Sequence, residues 1–286
     1  MGRFELALDS TKITSYLTCP TMFNYEHEVG IVKTGRDRTA LDKGTVMHGL
    51  VERYYKKLWE GETTSNAMGF SLSQLGELKK EVDLTDEVFS LLSRRFIEYC
   101  SNYKDDKLQI ESSLFNKPSI EVGFSVPILD TPDFYFVLEG RIDLIATLGG
   151  IKLFIDHKTQ ERKKDLYPYS IQFMNYALVT GLRHGMVNYI GLSKEVNKDT
   201  FRRKLIYYGE LKLQQWKKKV IDIFFKVLGD KKRDQNFAMC GGMYGYPCQY
   251  HELCEQTDPS IRNGLIQVQF EKRAEWKPWR LGEEDA

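Results

Sequence analysis

The chain has 286 residues, of which 42% are hydrophobic and 28% charged, a balance that is ordinary for a folded globular protein. No run approaches the roughly 18 consecutive apolar residues of a membrane-spanning helix, so no membrane span is expected. The formal net charge of +1 gives no overall sign of nucleic-acid binding, which would have to come from basic clusters such as Arg162–Lys164. The N-terminal segment MGRFELALDSTKITSY lacks the apolar core of a secretory signal, so we expect a cytoplasmic protein.

The N-terminal third is predicted to be mostly helical. Predicted helices cover residues 9–25, 43–59, 73–80 and 85–99, where apolar residues recur at helical spacing. The first should break at Cys19-Pro20, because the residue before a proline disfavours the helical conformation. Residues 61–69 are rich in small side chains and are predicted to form a loop.

Strand patterns begin near Ser119, and residues 121–129 alternate in the manner of a strand. Later predicted elements are the strands 187–193 and 201–208 and the helices 169–180 and 211–228. A polar tail is predicted from Thr257 onward.

The centre of the chain is predicted to be a β-hairpin. Runs rich in β-branched and aromatic residues flank Gly149-Gly150, and a two-glycine loop suits a type I′ turn. This loop places Leu148 opposite Ile151. Counting outward from that pair places Asp143 opposite Asp156.

Two facing carboxylates repel each other and destabilise a strand pair. A divalent cation between Asp143 and Asp156 would remove this penalty, and oxygen ligands suit Mg²⁺ or Mn²⁺. Side chains alternate along a strand, so Lys158 shares a face with Asp156, and Arg141 shares one with Asp143. The alternative is a solvated surface on which Arg141 neutralises Asp143 and Lys158 neutralises Asp156. The two strands alone leave both interpretations open.

The cysteines indicate a second ligand site. An odd number of them, five in all, does not suggest a disulfide framework in a chain without a secretory signal. Cys240, Cys248 and Cys254 fall within 15 residues, which favours metal ligation. Cys100 lies in a helical pattern and is expected to be a buried, small hydrophobic residue.

Five short motifs follow one another along the chain. They are G-x-x-x-H at Gly44–His48, E-x-x-x-x-V at Glu121–Val126, G-R-I-D at Gly140–Asp143, D-H-K-T at Asp156–Thr159 and Q-x-x-x-Y at Gln172–Tyr176. In this order they resemble the PD-(D/E)xK nuclease superfamily. Within it they resemble the RecB-like exonucleases, which include AddB-type, CRISPR-adaptation and phage enzymes. The resemblance covers residues 11–254.

The resemblance implies an α/β (α+β) fold of the restriction-endonuclease type, with a mixed central β-sheet flanked by helices. One integrated nuclease domain would have three parts. These are a helical region (1–115) carrying Cys19 and His48, a core (116–210), and a C-terminal segment (211–286) with a helix, the cysteine cluster and a tail.

The resemblance also assigns roles to residues. His48, Asp143, Asp156 and the backbone carbonyl of His157 would hold Mg²⁺ or Mn²⁺. Lys158 would orient the attacking water or help to deprotonate it, while the metal lowers the pKa of that water and clamps the scissile phosphate.

Further residues of the implied site lie around this centre. Glu121 occupies the acidic position that precedes the hairpin in the family. Gln172 and Tyr176 would line the active site, although packing of their helix on the sheet is the alternative. The expected DNA-contacting residues are Arg141, Gln172, Tyr176, Lys163 and Lys164.

Cys19, Cys240, Cys248 and Cys254 resemble the four cysteines that hold a [4Fe–4S] cluster in several RecB-like nucleases. The C-x7-C spacing departs from the C-x2-C of many members, which puts Cys240 in doubt. Structural Zn²⁺ and unligated thiols are the alternatives.

The expected activity is metal-dependent exonucleolytic hydrolysis of single-stranded or end-containing DNA, in recombination, repair or phage DNA processing. A DNA-end-binding or helicase/recombinase accessory module and an endonuclease are the alternatives. The sequence contains no GxxxxGK[ST] motif, so a partner helicase would be a separate protein.

Overall fold

The computed structural model describes residues 2–113, 116–160, 169–193, 195–197, 199–241, 247–274 and 276–278. Within these ranges, no helix is long and apolar enough to cross a membrane. Lys163 and Lys164, two of the expected DNA-contacting residues, lie outside the described residues.

The described part of the chain contains both helices and strands. Its helices are α1 (Ser10–Thr18), α2 (Pro20–Phe23), α3 (Thr39–Trp59), α4 (Thr64–Ser73), α5 (Leu75–Lys80), α6 (Asp86–Asn102), α7 (Ile171–Thr180), α8 (Glu210–Gly229), α9 (Phe237–Cys240), α10 (His251–Glu255) and α11 (Pro259–Gln269), with a π-helical turn at Asn24–Glu28. Its strands are β1 (Phe4–Leu8), β2 (Ile31–Lys33), β3 (Gln109–Ile110), β4 (Ile120–Asp130), β5 (Phe134–Leu148), β6 (Ile151–Gln160), β7 (His184–Gly191), β8 (Phe201–Tyr207) and β9 (Phe270–Lys272).

The chain forms two compact units, and the one that we call the sheet unit consists mainly of Asp37–Gly123 and Arg141–Leu213. In it β6 pairs antiparallel with the C-terminal half of β5 and parallel with β7, and β7 pairs antiparallel with β8. Helices α3 and α6 contact β6 and β7, and α7 contacts β7. This mixed sheet flanked by helices confirms the predicted fold class.

Apolar side chains hold the helices of the sheet unit on the two faces of the sheet. Ile155 of β6 belongs to a fully buried cluster with Leu50 of α3 and Phe96 of α6. The adjacent Phe154 points the other way, because side chains alternate along a strand, and its ring contacts Phe173 of α7 at a centroid distance of 5.6 Å. Cys100 of α6 is fully buried in the first cluster, as expected.

The other compact unit, which we call the terminal unit, consists of Met1–Arg36, Phe124–Gly140 and Gln214–Pro278. In it β1 runs parallel to the N-terminal half of β5, and β2 pairs with β9. Strand β5 is anchored on α8 by stacked rings of Phe136 and Phe224, whose centroids lie 5.0 Å apart. A small core of this unit contains Tyr25, Ile31, Tyr250, Leu253 and Phe270.

The central hairpin has the predicted register. Gly149-Gly150 have φ values of 58° and 80°, as the type I′ turn requires, and Leu148 pairs with Ile151. The ladder between β5 and β6 ends at Leu144 and Ile155, one position before the two aspartates. Strand β6 remains paired with β7 up to its last residue. The two hairpin strands therefore separate at the aspartates, while β6 stays in the sheet through β7.

Two parts of the chain differ from the prediction. The loop predicted for residues 61–69 is wrong from Thr64 onward, where α4 begins after a Thr63 side-chain cap. Ala67 of this helix is fully buried, so tertiary packing outweighs the weak local propensity. The predicted polar tail contains α11, whose start is capped by Asp258.

Candidate functional site

The site lies where β5 and β6 part. There the side chain of Asp143 replaces a backbone acceptor: its Oδ2 accepts the main-chain N–H of His157 at 2.7 Å. His48 of α3 places its Nδ1 3.5 Å from the same oxygen and is hydrogen-bonded to the backbone of His157. One helix and two strands are therefore tied together at a single carboxylate.

Glu121 of β4 completes a group that could hold a metal ion. His48, Glu121 and Asp143 each offer one ligand atom, and these three atoms lie within 4.8 Å of one another. One imidazole nitrogen and two carboxylate oxygens form a donor set that suits a divalent cation such as Mn²⁺ or Mg²⁺.

The backbone of Glu121 is strained. Its φ of 51° lies in the left-handed region, which costs a residue with a side chain on the order of 1–3 kcal/mol. Arg141 Nη1 lies 3.8 Å from the Glu121 carboxylate. Strain of this kind persists where the surrounding structure demands it, and here it accompanies a carboxylate directed at Asp143.

Asp156 is the most buried carboxylate of the site, with 1% of its surface exposed. Its Oδ2 lies 2.7 Å from Lys158 Nζ, so one half of the charge-pair alternative is present. Burial, followed by repulsion from Asp156, holds the pKa of Asp143 well above its usual value. A cation between the two carboxylates would reverse this effect.

Lys158 is held from two sides. Burial by itself would lower the pKa of its ammonium group, but the adjacent Asp156 reverses the shift, and the pKa lies above its ordinary value. Lys158 Nζ also donates to Gln172 Oε1 at 2.9 Å. Gln172 Nε2 donates to Tyr176 Oη at 2.8 Å, and the Tyr176 hydroxyl donates to the carbonyl of Arg141. Gln172 and Tyr176, both on α7, thus fix the lysine between β6 and β5.

A cavity of about 620 Å³ adjoins this group and is lined in part by His48, Glu121 and Thr159. Gly44 of α3 lies on its wall, and a Cβ atom at this position would approach Thr159 Oγ1 to 3.3 Å. A glycine one turn before His48 therefore lets α3 lie close to β6.

The four cysteines of the expected cluster come together within the terminal unit. The main-chain N–H of Cys248 donates to the carbonyl of Cys240 at 3.1 Å, and that of Asn236 donates to Cys19 Sγ at 3.4 Å. Cys254 lies near enough to the other three for their charges to affect its thiol. Burial raises the pKa of Cys254 to about 11, so ligation would have to replace the thiol proton.

The sequence profile of the PD-(D/E)XK nuclease superfamily matches residues 9–255. The chain belongs to this superfamily. Membership implies a hydrolytic nuclease that acts on DNA with divalent metal, and the residues around Asp143 fit that chemistry.

Two solved structures resemble this nuclease over most of its length. The crystal structure of SSO0001 shares 14% sequence identity, covers 89% of each chain and has a TM-score of 0.40. A candidate exonuclease of Eubacterium rectale shares 12% identity over 92% of this chain and 94% of its own, with a TM-score of 0.48. No curated protein is significantly similar in sequence.

The structure brings most of the predicted site residues of the nuclease into one place. They are His48, Glu121, Arg141, Asp143, Asp156, His157, Lys158, Gln172 and Tyr176. Sequence reasoning missed Asn188, whose amide contacts the His157 ring. Its signal is a lone amide in the apolar run of β7, where the residue is almost fully buried.

Replacing Glu121 by glycine should stabilise the metal-free protein. Glycine adopts a positive φ without strain, but it also raises the conformational entropy of the unfolded chain, which lowers stability. The net expected effect of Glu121→Gly is a rise of about 1 kcal/mol in the free energy of unfolding. Urea denaturation in EDTA measures it.

Glu121→Gln is the matched control, because it removes the charge and keeps the strained backbone. An equal gain in both variants would contradict the strain explanation and assign the effect to repulsion between carboxylates.

Proposed function

We propose that the chain is a metal-dependent DNA exonuclease of the RecB-like type. The observation that carries this proposal is the position of Lys158, whose ammonium group is fixed beside two buried carboxylates where β5 and β6 part. The order of the five motifs supports the RecB-like subtype, and with it a role in recombination, repair or phage DNA processing.

His48, Glu121 and Asp143 would hold the metal, with Asp156 and the carbonyl of His157 as further ligands. The fit rests on the donor set and on the raised pKa of Asp143, because a site that disfavours two bare carboxylates favours a cation between them. A bound Mg²⁺ or Mn²⁺ supplies Lewis-acid stabilisation and a water of lowered pKa.

The residues of the chain supply orientation and charge. Lys158 keeps its proton because of Asp156, so it would hydrogen-bond the attacking water and offset the negative charge that grows on the phosphate. Gln172 and Tyr176 hold the lysine in place. This favours a positioning role for the two side chains over the alternative that they only pack α7 on the sheet. Arg141 would contact the DNA backbone.

Exonuclease action is favoured over site-specific cleavage. A sequence-reading module such as a zinc finger or a helix-turn-helix does not stand out among the motifs of the chain. A DNA end would occupy the cavity beside His48 and Glu121.

The deciding experiment compares linear and closed circular DNA with Mg²⁺, Mn²⁺ or EDTA, using the wild type and Lys158→Ala. We expect metal-dependent loss of linear DNA only, reduced by at least about 100-fold in Lys158→Ala, because a positioned cation is removed from the transition state. Lys152→Ala is the matched control. Lys152 lies on the same strand, is half exposed and pairs with Glu111, so its loss should leave the rate unchanged.

Cleavage of circular DNA would identify an endonuclease. Intact DNA under every condition, with end binding retained, would replace the exonuclease with a DNA-end-binding accessory module.

We also propose that Cys19, Cys240, Cys248 and Cys254 hold a [4Fe–4S] cluster. The proximity of the four thiols supports this proposal, because Cys248, Cys19 and Cys240 all lie near enough to act on the charge of Cys254.

Iron, sulfide and zinc analysis after anaerobic purification tests the cofactor. We expect about four iron and four sulfide per chain, lost together with visible absorption in Cys254→Ser. Cys100→Ala, in the core of the sheet unit, should keep the cluster. One zinc per chain, or neither metal, would contradict the iron–sulfur assignment.

A further inference from the structure

Three polar residues form a row across the sheet unit. His157 of β6 is the register partner of Asn188 of β7, and Asn188 is the register partner of Arg203 of β8. His157 and Asn188 are 4% and 1% exposed. A buried row of this kind persists only when its hydrogen bonds are made.

The hydrogen bonds fix the orientation of Asn188. Arg203 Nε donates to Asn188 Oδ1 at 3.4 Å, and because a guanidinium only donates, this contact identifies the amide oxygen. Asn188 Nδ2 then donates to the Tyr99 hydroxyl at 2.7 Å and to His157 Nδ1 at 2.8 Å. His157 Nδ1 must therefore be an acceptor. The Tyr99 hydroxyl also meets that of Tyr55 at 2.7 Å.

The far end of the row is anchored. Arg203 Nη2 lies 2.6 Å from Asp106 Oδ2 and donates to the Tyr55 hydroxyl at 3.3 Å, while its guanidinium lies 3.8 Å from the centre of the Tyr103 ring. The Tyr55 ring stacks on His157 with a centroid distance of 5.7 Å. The imidazole is thus held at its edge by an amide and on its face by a ring.

His157 connects this network to the metal site. Its main-chain N–H donates a hydrogen bond to the Asp143 carboxylate, and its backbone is hydrogen-bonded to His48. At this point β6 has lost the support of β5. The network supplies the missing restraint from the opposite side.

We propose that Asn188 is a positioning residue for the metal site, which it serves by holding the His157 ring and thereby the segment of β6 that faces Asp143 and His48. This inference rests on the proposed function. Asn188 contacts the imidazole of His157, whereas the group of His157 that would ligate the metal is its backbone carbonyl. Groups that orient metal ligands in this indirect way are typically worth 10–100-fold in affinity or activity.

A purely structural role makes a different prediction. If Asn188 only stabilised the fold, its replacement would leave buried polar partners unsatisfied and lower stability, but it would not change Mn²⁺ affinity. Asn188→Leu keeps the branching of the side chain and removes the hydrogen bonds to His157, Tyr99 and Arg203. Asn188→Asp keeps the oxygen that Arg203 contacts but offers no N–H to His157.

The test measures Mn²⁺ binding by calorimetry without DNA, thermal unfolding in EDTA, and kcat and KM on linear DNA. In both variants we expect Mn²⁺ affinity and kcat to fall by about 10–100-fold while KM for DNA changes less than about twofold. Asn188→Asp provides the result if Asn188→Leu does not fold.

Ile190→Ala is the matched control, because Ile190 is fully buried on the same strand and its truncation should lower the unfolding temperature without changing Mn²⁺ affinity. Wild-type Mn²⁺ affinity and kcat in both Asn188 variants would overturn the inference while leaving the proposed function intact. A wild type that neither binds Mn²⁺ nor cleaves DNA would overturn the proposed function and this inference with it.

Discussion

The hydrogen bond from the His157 main chain to the Asp143 carboxylate is the contact on which the site depends. Where β5 leaves the ladder, an N–H of β6 would lose its acceptor, and a buried donor without a partner is costly. A side chain takes the place of the missing strand. Where the strand is missing, a gap opens between β5 and β6, and the Asp143 carboxylate lies in it. The interruption of the sheet therefore creates the metal site.

The sequence predicts the parts of this arrangement that are local. Gly149-Gly150 determines the hairpin register, and this register places Asp143 opposite Asp156. The position of the two aspartates therefore follows from the spacing of residues along the hairpin. Glu121 depends instead on a left-handed backbone at the start of β4, which favours glycine and is not expected of a glutamate. The lone amide in β7 marks Asn188 as unusual, but its role depends on partners on β6, β8 and α6, which the sequence of β7 does not identify.

Stability and function oppose each other at this site. Asp143 and Asp156 are buried close together, Glu121 has a strained backbone, and each feature raises the free energy of the metal-free fold. The chain offsets this locally with Arg141, which lies beside Glu121, and with Lys158, which lies beside Asp156 and is held in turn by Gln172. A bound divalent ion would stabilise the folded protein as well as support hydrolysis.

Anomalous diffraction from crystals soaked in Mn²⁺ tests the central claim most directly. The proposed site predicts one strong peak within bonding distance of His48 and Asp143, beside the Glu121 carboxylate and on the open side of the interrupted hairpin. Mn²⁺ bound elsewhere, with the gap between β5 and β6 empty, would contradict the assignment of the metal to this break in the sheet.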